Sequence, residues 1–156
     1  MDTRIRKATL NDLDELVSMG LALHEVEKEF EPRLILSVQE ARKHYANQLE
    51  NKKVCFLIAE DDKQVLGYLY GHIDMIDYLS GDLPEAEAEV VYLKPESRGK
   101  GVAKLLVERF IAWAKEKKSF RVKAGIYEKN GPSKKLFLRY GFQPYHTTYT
   151  YNLENK

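Results

Sequence analysis

The order of elements legible along the chain, β-α-α-β-β-β-α-β-α-β, predicts an α/β fold: a mixed, mostly antiparallel central sheet flanked by helices. Three observations carry this expectation. Apolar, β-branched runs at residues 54–59 and 65–73 flank the turn sequence Asp61-Asp62-Lys63, the pattern of an antiparallel hairpin. Val102, Leu105, Leu106, Phe110 and Trp113 form one apolar stripe at helical spacing while Lys104, Glu108 and Lys115 lie elsewhere, so that helix should pack on a sheet. Strand-like runs at 88–93 and 120–127 bracket it.

The remaining elements follow in order. After the opening run Ile5-Arg6-Lys7-Ala8-Thr9, Asn11 is placed to cap a helix with Asp12, Asp14 and Glu15 in its first turn, where acids suit the helix dipole. Its apolar stripe is Leu13, Leu16, Val17 and Leu21. Residues 24–31 are acidic, Pro32 breaks the helix, and Ser37 is placed to cap a second helix reaching about Glu50. From Asp74 to Pro84 periodicity is lost, and Gly81 and Pro84 predict a mobile loop over a site. Residues 132–140 read as a short helix ended by Gly141, and residues 142–153 as a closing hairpin or long strand. Without repeats or low-complexity linkers, residues 1–156 are expected to form a single domain.

Composition narrows the partners. Lys plus Arg total 25 against 24 Asp plus Glu, a net charge of +1, which supplies no field for nucleic acid or anionic membrane. Two short basic clusters, at residues 115–118 and Lys134-Lys135, are the sole argument for an RNA-directed role. No apolar run approaches the roughly 20 residues that span a bilayer, and the start shows no signal peptide, so a cytoplasmic protein is expected. Cys55, the one cysteine, lies in an apolar run and reads as a buried strand residue. His24, His44, His72 and His146 occur singly, without metal-ligand spacing; no metal is expected, and each reads as a surface residue.

The chemistry concentrates at Arg98-Gly99-Lys100-Gly101-Val102-Ala103, which joins the strand at 88–93 directly to the amphipathic helix. Gly99 and Gly101 let backbone N–H groups close on an anion, and the first helical turn leaves its own N–H groups unpaired and partly positive. Arg98 and Lys100 add charge. The spacing fits neither a dinucleotide fingerprint, which wants a small residue where Lys104 stands, nor a P-loop. What remains is Arg-x-x-Gly-x-Ala, and residues 91–103 resemble the acyl-CoA motif of the GNAT family of N-acetyltransferases, with Arg98, Gly101 and Ala103 at its defining positions. Residues 130–142 are similar to a second family block, Asn-x-x-Ala-x-x-x-Tyr-x-x-x-Gly-Phe, in the expected order.

The resemblance implies a V-shaped opening between the fourth and fifth strands, entered by acetyl-CoA as cosubstrate. It implies that the main chain of Val91, Tyr92 and Leu93 binds pantetheine and the oxyanion. It further implies that Asn130 hydrogen-bonds the cofactor arm, unless it merely caps the helix at Pro132, and that Ser133 lets the cofactor pass. Phe137, expected by this resemblance to touch the cofactor, stands where the family carries its tyrosine, so the usual proton donor to the leaving thiolate is missing; Tyr140, about 60° around the axis, is a neighbouring candidate. Tyr127, Tyr145 and Tyr149 are further hydroxyls.

Amine attack on a thioester requires a neutral amine, and a primary alkylamine with a pKa near ~10.4 is almost wholly protonated at neutral pH. Glu89 is the expected base, because strand alternation puts it on the face of Val91 and Leu93; the alternative is a strand-face or rim carboxylate in an ion pair. Glu25, Glu27, Glu29 and Glu31 suggest a cationic small-molecule or peptide amine, or an ordinary solvated acidic face. Tyr145, Thr147, Tyr149 and Tyr151 alternate along the last strand and fit either the acceptor cleft or a homodimer contact. The expected function is acetyl-CoA-dependent N-acetyl transfer. The alternative, raised by Phe137, is a non-catalytic acyl-CoA-binding module.

Overall fold

The computed structural model describes residues 2–62, 64–76 and 83–154. In chain order it comprises β1 (Arg4–Lys7), α1 (Leu13–Glu27), α2 (Val38–Glu50), β2 (Val54–Glu60), β3 (Val65–Ile76), β4 (Leu83–Leu93), α3 (Val102–Glu116), β5 (Val122–Ala124) and α4 (Gly131–Arg139). Single 3₁₀ turns, Leu10–Asp12 and Pro95–Ser97, precede α1 and α3. The sheet order is β1-β2-β3-β4-β5; the first four strands pair antiparallel and β5 lies parallel to β4. The mixed, mostly antiparallel sheet flanked by helices is therefore as expected.

The two faces of the sheet carry separate cores. Leu106, Val107, Phe110 and Trp113 of α3 pack on Cys55, Leu57, Leu69, Ala86 and Ala88. Leu16, Val17 and Met19 of α1, with Ala41 and Tyr45 of α2, pack on Phe56, Ile58, Tyr68, Tyr70 and Tyr92. A Cβ at Gly71 would come within 2.6 Å of the Phe110 ring, so the absent side chain lets α3 settle onto the sheet. Burial pushes the Cys55 thiol up to about 11, the behaviour of an inert core residue.

Local chemistry sets the helix starts. Ser37 caps α2 reciprocally: its Oγ accepts from the Glu40 N–H at 3.1 Å, and Glu40 Oε2 accepts from the Ser37 N–H at 2.9 Å. At α1 the device differs from the expectation. Asn11 lies inside the 3₁₀ turn, and buried Asp12 instead accepts from the Thr9 N–H at 2.7 Å and takes the Arg6 guanidinium through both carboxylate oxygens, at 2.8 and 2.7 Å.

Three expected segments come out differently. Residues 74–76 and 83–84 belong to strands, with Met75 opposite Pro84 and Ile76 opposite Leu83; the rest of the expected loop, 77–82, lies outside the described residues. β4 starts at Leu83 because its early carboxylates are neutralised across the ladder: buried Glu85 binds Arg121 and Lys123, and Glu87 binds Lys123. β5 is confined to three residues of the expected 120–127. Residues 142–154 form no strand; Tyr145 packs on the Arg121 guanidinium at 4.4 Å and Glu154 accepts from Arg33 at 3.2 Å, so side-chain contacts replace a ladder.

Candidate active site

β5 pairs with β4 only at Ala86, Glu87 and Ala88, while β4 continues to Leu93. The two strands thus part after Ala88, opening the V between the fourth and fifth strands. Lys94 donates its N–H to Leu66 O at 3.0 Å on the β3 side, so ladder alternation turns the main-chain groups of Leu93 and Val91 away from β3 and into the opening. The main chain of Tyr92 points to β3, and its buried ring belongs to the α1/α2 core.

A bulge lies where the strands part. Ala88 pairs with Gly71 and Val90 with Tyr70, leaving Glu89 as the extra residue. Ala86 and Ala88 pack on the α3 side, and so do Val91 and Leu93, an arrangement that unbroken alternation forbids. Glu89 consequently does not share the face of Val91 and Leu93, as simple alternation predicts. Its Oε1 lies 2.5 Å from His72 Nδ1, on the face of Tyr70.

That face carries a polar line along β3. His72 Nε2 bonds Asp74 Oδ2 at 2.8 Å, and the Tyr70 hydroxyl bonds His44 Nε2 of α2 at 2.9 Å. Burial, with the nearby Glu89 charge, holds the Tyr70 phenol far above the ordinary tyrosine range. Burial also raises the Glu27 carboxyl at the end of α1, beside which Phe30 and Tyr127 stack at 5.5 Å. His72, Asp74, Tyr70 and His44 escape a reading by spacing, because strand pairing and a helix contact assemble them; the available signal is the alternation Tyr70-x-His72-x-Asp74 opposite an acidic strand.

At the far end of β4, Gly99 (φ 73°) and Gly101 (φ 81°) both adopt left-handed conformations, and a Cβ at either would meet no atom within 4 Å. Gly101 is the residue before α3 and has no side chain to cap it, so the first-turn N–H groups at Val102 and Ala103 take no bond from a capping side chain. Arg98 donates its Nε–H to Leu93 O at 3.1 Å, and its guanidinium lies 5.9 Å from the Tyr92 ring centre; Lys100 is exposed. An unpaired strand edge leading to a glycine-lined helix start suits an extended chain that ends in a diphosphate.

The second block is mainly architectural. Asn130 Oδ1 accepts from the Ser133 N–H at 3.2 Å, capping α4. Phe137 is buried and meets Phe142 edge-on at 4.9 Å within the α3-side core. Its ring fills the core instead of lining a cleft. Tyr140, the residue after α4, is partly buried against the same core.

Sequence comparison decides the family. Residues 21–142 match the acetyltransferase (GNAT) family. The chain belongs to that family. A Bacillus subtilis (strain 168) protein provisionally named as a ribosomal protein bS18 alanine N-acetyltransferase is 29% identical over 100 residues, covering 64% of this chain and 61% of the relative. An uncharacterised N-acetyltransferase of Mycobacterium tuberculosis (strain ATCC 25618 / H37Rv) is 26% identical over 99 residues, covering 64% and 59%. The matched region thus spans about three fifths of these relatives.

Solved structures share the fold of this GNAT chain. A tetramutant of a Bacillus halodurans protein superposes with a TM-score of 0.86 at 18% identity, covering 96% of this chain and 99% of that one. A predicted acetyltransferase from Clostridium acetobutylicum, determined with acetyl-CoA, gives 0.78 at 23%, covering 97% of both. An aminoglycoside N-acetyltransferase in complex with CoA gives 0.77 at 19%, covering 98% and 95%. Acetyl transfer is the general chemistry of the family to which this chain belongs.

Proposed function

We propose that this chain is an enzyme that moves the acetyl group of acetyl-CoA to a primary amine by direct attack on the thioester. The observation that carries the reading is the β4 edge from Glu89 to Leu93 that β5 leaves unpaired, which runs from the Glu89 carboxylate, held through Oε1 by His72, to the glycine-lined start of α3. In this reading Val91 and Leu93 pair with pantetheine through their main chains. Residues Arg98, Gly99, Lys100, Gly101, Val102 and Ala103 hold the diphosphate, and Asn130 and Ser133 flank the arm.

The acceptor ammonium gives one proton to Glu89, and the neutral nitrogen attacks the thioester carbon. The oxygen that becomes negative is stabilised by main-chain N–H groups of the β4 edge. The C–S bond then breaks, the sulfur leaves as thiolate, and the nitrogen sheds its second proton to water as the amide forms, which replaces the proton the thiolate takes up. A thiol with a pKa near ~8.5 departs tolerably without an acid, so Phe137 does not stop the reaction; Tyr140 is the hydroxyl assigned to protonate the thiolate.

The half-buried Glu27 beside an aromatic stack supports a cationic acceptor, a small molecule or a peptide. Names among similar proteins include both kinds, aminoglycoside and protein alanine. The exposed Tyr145, Tyr149 and Tyr151 are the face assigned to the acceptor or to a second copy of the chain. A lone buried thiol fits a reducing, cytoplasmic setting, and no helix among the described residues is long and apolar enough to cross a membrane.

Incubation with acetyl-CoA and a panel of diamines, aminoglycosides and peptides tests the proposal by release of CoA thiol. Turnover with at least one amine is expected. CoA binding without turnover on any of them would favour the acyl-CoA-binding module instead.

A further inference from the structure

His72 is bonded at both ring nitrogens to carboxylates, Nδ1 to Glu89 at 2.5 Å and Nε2 to Asp74 at 2.8 Å. An ionised carboxylate only accepts hydrogen bonds, so each nitrogen must donate, and a ring that donates from both nitrogens is an imidazolium. Among the described residues no other cation pairs with either carboxylate. Burial disfavours charge on the ring, but the bonds to Glu89 and Asp74 outweigh it and raise its affinity for the proton.

The other neighbours are accounted for. Glu87, opposite His72 on β4, is engaged by Lys123 at 3.2 Å. Val54 faces it from β2 and adds no charge. Tyr70, on the same face of β3, is engaged by His44 of α2.

A bulged residue loses the register neighbour that steers its side chain. Glu89 has that freedom, yet a proton acceptor must be held to within roughly 0.5 Å to be useful. We propose that His72, backed by Asp74, is the positioning residue for Glu89: the imidazolium fixes Oε1 and leaves Oε2 to take the proton of the acceptor ammonium. His72 keeps both of its protons throughout; the proton taken by Glu89 leaves to water when the product departs. The inference rests on Glu89 being the base of the proposed acetyl transfer.

Two measurements test it together. Nitrogen-15 NMR of the imidazoles in the intact protein should show His72 protonated at both nitrogens at pH 7, with Glu89→Gln and Asp74→Asn each lowering its titration midpoint. With an amine that turns over, His72→Gln should lower kcat about tenfold or more with the KM for acetyl-CoA unchanged. Asp74→Asn, at an exposed position, should give a smaller loss in the same direction. The parent should lose activity as His72 deprotonates, and His72→Gln should lack that limb. A neutral His72 ring at pH 7, or a folded His72→Gln variant with parental kcat, would overturn the positioning role alone. Failure of the parent to acetylate any amine would overturn the acetyl-transfer reading, and with it this role, even if the ring proves doubly protonated.

Discussion

Ala88 and Ala124 are the last residues at which β4 and β5 pair, and the next residue of β4 is the bulged Glu89. One position therefore ends the parallel ladder, frees the β4 edge and turns a carboxylate toward His72. The opening is a direct consequence of strand register. Parting strands normally leave main-chain groups unsatisfied, and here that deficit is what a cofactor arm can fill.

The glycine at the start of α3 should be sensitive to any side chain. Gly101 has φ 81°, a conformation that costs an L-residue of order 1–2 kcal/mol, and its Cβ would project into the open space assigned to the diphosphate. Gly101→Val should weaken CoA binding by about tenfold or more in calorimetric titration and lower the thermal midpoint modestly. Unchanged affinity would remove the loop from the site.

The two strand carboxylates should behave differently. Glu89→Gln is expected to lower kcat/KM for the amine by about 10² or more while leaving CoA affinity intact. Glu87 is held by Lys123, so Glu87→Gln should cost less activity. Steady-state kinetics on both variants checks the order; a larger loss for Glu87→Gln would transfer the base role to it.

Much of this was legible in the residues, for physical reasons. Ser37 announces a cap, Gly99 and Gly101 announce a left-handed turn before a helix, and the Val102 to Trp113 stripe announces a helix on a sheet. Other features depend on register. The face of Glu89 is misread from alternation because one bulge between Ala88 and Val90 resets the parity of the strand. The start of β4 hides behind Glu85 and Glu87, whose charges are cancelled by residues more than thirty positions away. Residues 142–153 have the composition of a strand but no ladder partner, and propensity alone does not make one.

Asp12 gives a pH signature. Its bonds to the Arg6 guanidinium hold its carboxyl below the ordinary aspartate range, despite burial. A depressed folded-state pKa contributes stability above the unfolded value, near ~3.9, that disappears as pH falls through the folded value. The parent should therefore lose stability on acidification below about pH 4. Asp12→Asn should be less stable by roughly 1–3 kcal/mol at pH 7, with a shallower acid dependence. Urea unfolding at pH 7 and pH 3 measures both; equal stabilities at pH 7 would mean the pair contributes nothing net.

Tyr140→Phe should reduce kcat by no more than about tenfold, because the thiolate leaves tolerably unaided. Comparison with a more acidic thioester leaving group separates the cases: if Tyr140 protonates the sulfur, the defect shrinks as the thiol becomes more acidic. A loss beyond 10³ would mean that the sulfur depends on this hydroxyl far more than proposed.

Amide NMR during titration with CoA bears most directly on how the cofactor is held. Saturable binding is expected, with the largest shifts at Val91, Leu93, Gly99, Gly101 and Val102 and small ones across β1 and β2. No binding, or shifts concentrated away from the β4 edge and the start of α3, would contradict it.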